Sequence, residues 1–175
     1  MDKVERFGEI AHNIIPRVEG ALHVLKGGEG VLTFLTAKAD ADLGSLERLN
    51  KKGFGQKYAI DSLANLAEVG MCGYQLTEKA APSVNHLANL MTDTYSRKNA
   101  DYGDSFSQSC NRFGLVAALV RMSDKINRLQ SLAVRRQEAQ VKDESIADTF
   151  LDLACYAIMT MVWVLEKDKL SKENS

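Results

Sequence analysis

Apolar residues recur at three- and four-residue steps through almost the whole chain, a period that predicts helices and not a sheet. Val4, Phe7, Ile10, Ala11 and Ile14 fall on one face of a first helix. Pro16 is expected to end or kink it, with residues 17–26 as a continuation. The GGEG run at 27–30 breaks the pattern, and the apolar stretch 31–39 fits either a short helix or a strand. Short helices are expected over 42–50, over 57–69, and from 77 or 83 to 97, with glycines at 53, 55, 70 and 73 as punctuation. A polar loop follows around 98–104, then a long helix from about 106 to 132 and a charged connection over 133–142. The last helix runs from 143 to about 167, with Asp143 as N-cap and Glu144 in the first turn, where an acid suits the helix dipole. Ile146, Phe150, Leu153, Ala157, Met161 and Val164 make a stripe along it that reads as core. The expected fold class is therefore all-α, a helical bundle.

Composition agrees. The chain has 175 residues, 45% apolar and 26% charged, enough for one folded domain with a sizeable core. Its 22 basic and 23 acidic side chains nearly cancel, which argues against a basic nucleic-acid clamp. The three cysteines, Cys72, Cys110 and Cys155, form no CxxC pair, so neither a disulfide framework nor a structural zinc site is expected. His12, His23 and His86 are scattered, without metal-ligand spacing. The opening MDKVERFGEI lacks the apolar segment of a signal peptide, and the longest apolar run, LACYAIMTMVWVL, is too short to span a bilayer. The expectation is a cytoplasmic protein with no membrane partner and no stable nucleic-acid binding.

Charge in the last helix changes the picture. Glu144, Asp148 and Asp152 recur at four-residue steps, each advancing about 400°, so all three acids share one face. Like charges at this spacing cost a few tenths of a kcal/mol each, and no basic residue interleaves before Lys167. The preceding helix carries RMSDKINR, whose Arg121, Asp124, Lys125 and Arg128 lie close to one face. With the two helices antiparallel, Asp124 would meet the acid row. Two readings fit. One is a salt-bridge network on a solvated surface. The other is a set of carboxylates around a hard divalent cation, with Arg121, Lys125 and Arg128 binding phosphates nearby.

The third element is KNADYGDSF, residues 98–106. Asn99, Asp101, Gly103 and Asp104 are turn formers, with Gly103 suited to a positive φ. Here too two readings stand. It is an ordinary interhelical loop with Tyr102 as a core anchor, or a nucleotide contact with Tyr102 stacked on a base and Lys98 and Asp104 reaching phosphate, ribose or metal. RRQEAQVK reads as a solvated connection or as a lid over phosphates.

In this order, YSRKNADYGDSF, RMSDKINRL and DESIADTFLDLACYAIM resemble a phage and bacterial family, the nucleotide-modification-associated domain. That family is similar to the all-α nucleoside triphosphate pyrophosphohydrolases, the MazG and dimeric dUTPase relatives. The resemblance covers residues 91–168. Residues 1–90 form an N-terminal helical region of unknown role, and 169–175 a disordered tail. The resemblance implies cleavage of a (deoxy)nucleoside triphosphate to monophosphate and pyrophosphate with Mg2+, or Mn2+ in its place. It implies a dimer or tetramer. Asp124, Glu144 and Asp148 would be catalytic, and Asp124, Glu144, Asp148 and Asp152 would hold the metal. Lys98, Asn99, Asp101, Tyr102, Asp104, Arg121, Lys125 and Arg128 would bind substrate. The sequence departs from the pyrophosphohydrolase pattern in its first acid pair, represented by Asp124 and Asn127, and in Cys155, which stands where Asn is expected. The thinner first acid pair suits the alternative, a weak or inactive nucleotide-binding or host-protein-binding phage protein.

Overall fold

The computed structural model describes residues 2–25, 28, 30–53, 56–135 and 145–173, the side chains of 56, 57 and 170–173 excepted. The described residues form seven α-helices and no strand. They are α1 (Lys3–Leu25), α2 (Val31–Lys52), α3 (Gln56–Thr77), α4 (Val84–Tyr102), α5 (Ser105–Phe113), α6 (Val116–Leu129) and α7 (Ile146–Glu173). A π-helical turn over Gln130–Val134 extends α6. This is the all-α bundle that the periodicity predicts.

The helices are longer than the local pattern suggests. Pro16 lies inside α1, between buried Ile14 and Val18, so packing on both sides offsets the hydrogen bond that proline cannot make. The ambiguous stretch 31–39 is simply the first half of α2. Gly53 and Gly103 do end helices, at φ 86° and 60°. Gly114, at φ 73°, divides the expected long helix into α5 and α6. By contrast Gly70 and Gly73 sit in the interior of α3. α7 starts at Ile146, after Ser145, and Asp143, the expected cap, lies outside the described residues. At its other end α7 continues through 169–173, where the pattern predicts a tail.

α7 is the axis of the bundle. It packs most extensively on α3, then on α6, and also touches α1 and α5. α2 lies against α3 and α6, and α1 against α4 and α3. The core is one continuous cluster: Phe7, Leu46, Leu63 and Leu66 from the N-terminal helices meet Met122, Phe150 and Leu153 from the C-terminal ones, all without solvent exposure. Among the described residues, the helices before position 90 thus share a core with those after it. By length and composition Ile146–Lys169 would suffice to cross a membrane, a longer span than the apolar run alone suggested. Here that surface is largely buried against the other helices.

The α3–α7 contact explains the two glycines. A Cβ on Gly70 would lie 2.5 Å from the carbonyl oxygen of Phe150 and 2.7 Å from the amide nitrogen of Ala154. A Cβ on Gly73 would lie 2.2 Å from the Phe150 ring. The glycines give up helix propensity, about 1 kcal/mol each relative to Ala, and in exchange let two backbones meet.

All three cysteines are free thiols, Cys72 and Cys110 buried and Cys155 partly so. Burial, then the charge of Glu68, pushes Cys72 up to about 12, against a small opposing effect of Lys38. Burial and Asp104 raise Cys110 to about 11. Burial and Asp152 raise Cys155 to about 12, with Lys98 acting the other way. These values suit small buried hydrophobes and not nucleophiles. Burial, followed by Asp104, Glu166 and Asp2, likewise holds the Tyr95 hydroxyl at about 12. A raised folded-state value means that the unfolded chain loses its protons first as pH rises. Stability is therefore expected to be full below pH 9, the ordinary thiol value, and to fall between pH 9 and 12. Urea unfolding at pH 8 and pH 10.5 would show it, and Cys110→Ala should flatten the decline.

Candidate functional site

α6 buries Ala118, Leu119, Met122, Ile126 and Leu129, and its two flanks face different neighbours. On the flank towards α7, Lys125 Nζ sits 2.8 Å from Asp152 Oδ2. One turn on, Arg128 Nε donates to Thr149 Oγ1 at 3.0 Å. As residue numbers rise on α6 they fall on α7, so the helices are antiparallel. The seam holds two cations of α6 against a carboxylate and a hydroxyl of α7.

Asp124 takes a different place. It precedes Lys125, and successive helical residues point about 100° apart. It is exposed, and it lines a groove of about 370 Å³ between α6 and α2, with Val116 and Val120 from α6 and Glu47 and Lys51 from α2. No residue of α7 lines that groove. The face that meets the acid row is the one carrying Lys125, not Asp124. Arg121 is exposed on the same helix.

At the start of α7, Asp148 is occupied locally. Its Oδ2 accepts from the Ser145 amide at 2.9 Å and from Ser145 Oγ at 2.8 Å, while Ser145 Oγ accepts from the Asp148 amide at 3.0 Å. This is a reciprocal capping box, with Asp in the place more often held by Glu or Gln. The motif S-x-x-D was present in the sequence at 145–148, hidden by the stronger impression of an acid ladder. Asp148 is exposed and Asp152 partly so. Glu144 lies outside the described residues, as does the RRQEAQVK connection beyond Arg135. Among the described residues the second oxygen of each of these two carboxylates accepts no hydrogen bond, and no group of three His, Cys, Asp or Glu side chains is placed to hold a metal ion.

Residues 98–102 are helical, the last turns of α4, and not a loop. Gly103 takes the positive φ expected of it and closes the helix through its N–H to the Asn99 carbonyl, 3.0 Å. Lys98, Asp101 and Tyr102 are exposed and Asn99 is partly so. Tyr102, 71% exposed, is not a core anchor. Its ring is open to stacking. Asp104 adopts a left-handed conformation, φ 55°, that Asp tolerates better than most residues. Its carboxylate accepts from Lys3 Nζ, which also reaches Glu166 Oε2 at 3.2 Å. Burial alone would lower Lys3, but its hydrogen bonds to Asp104 and then Glu166 leave it raised. Asp104 thus ties the α4–α5 turn to α1 and the far half of α7. Sequence reasoning had no signal for Lys3, Glu166 or Thr149, because each partner is more than 20 positions away.

The seam gathers the cations of Lys125 and Arg128, the buried hydroxyl of Thr149 and, along the same face of α7, the carboxylates of Asp148 and Asp152.

Residues 98–164 match the family model described as nucleotide modification associated domain 1. The matched stretch begins in the last turns of α4, takes in α5 and α6 and ends at Val164 on α7, well under half of the chain. No curated protein and no solved structure matches the sequence.

Proposed function

We propose that the protein binds a (deoxy)nucleoside triphosphate along the α6–α7 seam and, with Mg2+, cleaves it to monophosphate and pyrophosphate. The observation that carries this reading is the placement of Lys125 and Arg128 beside the Asp148–Asp152 face. The likeness of residues 98–164 to a nucleotide-modification-associated domain supports it. Mg2+ keeps waters and substrate oxygens in its shell and needs only one or two protein carboxylates, so Asp148 and Asp152 fit that mode where an all-protein cage is not available. Bound there, the ion would shield phosphate charge and acidify a water. Lys125 and Arg128 would hold the phosphates, with Lys98, Asn99 and Tyr102 at the end of α4 on the nucleoside side.

A second reading, binding without hydrolysis, is favoured by Asp124. The residue assigned to the first acid pair lines the α2 groove and does not join the seam carboxylates. The groups left are fewer than the resemblance implies.

The experiment is a thermal-shift screen of nucleotides with and without Mg2+, followed by pyrophosphate release on each one that binds. A ligand of the native state raises the melting temperature. Hydrolysis lost in Asp152→Asn with binding retained would support the enzyme. Asp148→Ala is a poorer control, because it also uncaps α7 and so costs about 1 kcal/mol. A shift without turnover of any nucleotide leaves the binding protein. No shift with any nucleotide removes both.

A further inference from the structure

Hydroxyl side chains bond back to the carbonyl four residues earlier at Thr36, Ser45, Thr77, Thr92, Ser109, Thr149 and Thr160. Six of these arrangements begin and end within one helix. Thr149 differs. It is fully buried, it donates to the Ser145 carbonyl at 3.1 Å, and it accepts from Arg128 Nε on another helix at 3.0 Å. A hydroxyl has one hydrogen. Once that hydrogen is aimed at Ser145, a lone pair is directed to Arg128, so the acceptor role is settled by the backbone of α7.

The consequence falls on the guanidinium. Arg has a planar fork of donors that matches two phosphate oxygens, and its value depends on orientation. With Nε–H held by Thr149, rotation about the last side-chain bonds is restricted, and the plane of the guanidinium is set from α7. Ser145 is also the partner of Asp148 in the capping box, so one residue fixes both the carboxylate and, through Thr149, the cation.

We infer that Thr149 is a positioning residue for phosphate recognition: buried beneath the seam, it orients Arg128 towards the polyphosphate of the ligand without touching that ligand itself. This rests on the reading that the α6 cations take phosphates.

The test uses the full chain and inorganic tripolyphosphate, measured by titration calorimetry. Val is close to Thr in shape but cannot accept the Nε–H, whereas Ser can. Thr149→Val is expected to weaken tripolyphosphate binding about tenfold, Thr149→Ser to restore it to within about twofold of the parent, and Thr149→Val to add nothing when Arg128 is already Ala. Melting curves of each variant report folding separately, and Thr149→Ser serves in place of Val as the folded comparison. If Thr149→Val binds as the parent does, or weakens binding equally in the Arg128→Ala background, the positioning role is wrong while the phosphate site stands. If the parent chain binds no tripolyphosphate, or Arg128→Ala leaves its binding unchanged, the reading of the seam fails and this inference fails with it.

Discussion

Gly70→Ala is expected to destabilise the fold by about 2–4 kcal/mol, even though alanine is the better helix former. The gain from propensity is about 1 kcal/mol. Against it stands a methyl group placed 2.5 Å from the Phe150 carbonyl oxygen and 2.7 Å from the Ala154 nitrogen. Both are backbone atoms, so no rotamer change relieves the clash. α3 and α7 must separate, and α7 also packs on α6, α1 and α5. Overpacking of a tight core generally costs about 1–3 kcal/mol, and this contact offers less room to relax than most. Gly20→Ala on α1 is the control. A Cβ there meets nothing within 4 Å, so the same substitution should stabilise by a few tenths to about 1 kcal/mol. Urea unfolding of both variants reads the difference. Equal stability for the two would mean that α3 and α7 do not meet at Gly70.

Lys125→Glu is the functional counterpart. The substitution sets a carboxylate against Asp152, where Lys125 now sits 2.8 Å from its Oδ2. It also turns an attraction for phosphate into a repulsion. Loss of a charged contact at a binding site costs several kcal/mol, so nucleotide affinity should fall on the order of a hundredfold. Raising the salt concentration should narrow the gap, since the partly exposed seam is screened. The cost to folding should be small, because a pair as exposed as this one contributes about 1 kcal/mol or less. Calorimetry with the tightest nucleotide of the screen, at two salt concentrations, checks each point. An unchanged affinity in Lys125→Glu would move the nucleotide elsewhere, and the α2–α6 groove would be the next place to look.

Much of the fold was legible because burial is periodic. Phe7, Ile10, Ala11 and Ile14 are buried as their spacing predicts, and so are Phe150, Leu153, Ala157, Met161 and Val164. A helix exposes its core face in the sequence through residues three and four apart, all within one short window. Boundaries were less legible. A glycine is the same letter whether it ends a helix, as Gly53 does, or admits a neighbouring helix, as Gly70 does; only the partner distinguishes them. The site was read in part. The run that includes Lys125 and Arg128 was visible, but a spacing argument treats Asp124 and Lys125 as near neighbours on one face. The phase of α6 against α2 and α7 separates them.

By itself the sequence determined the class of the fold, the core stripes and the charged segments from which a polyanion site can be built. These follow from local spacing and from the free energy of burying apolar surface, which every helix expresses in its own residues. The tertiary structure alone decided which charge meets which. It turned Lys125 and not Asp124 towards α7, gave Asp148 to the cap of its own helix, and put Thr149 beneath Arg128. Those outcomes depend on rotations of whole helices, and the rotations are set by packing partners such as Gly70 and Phe150 that lie far apart in the chain.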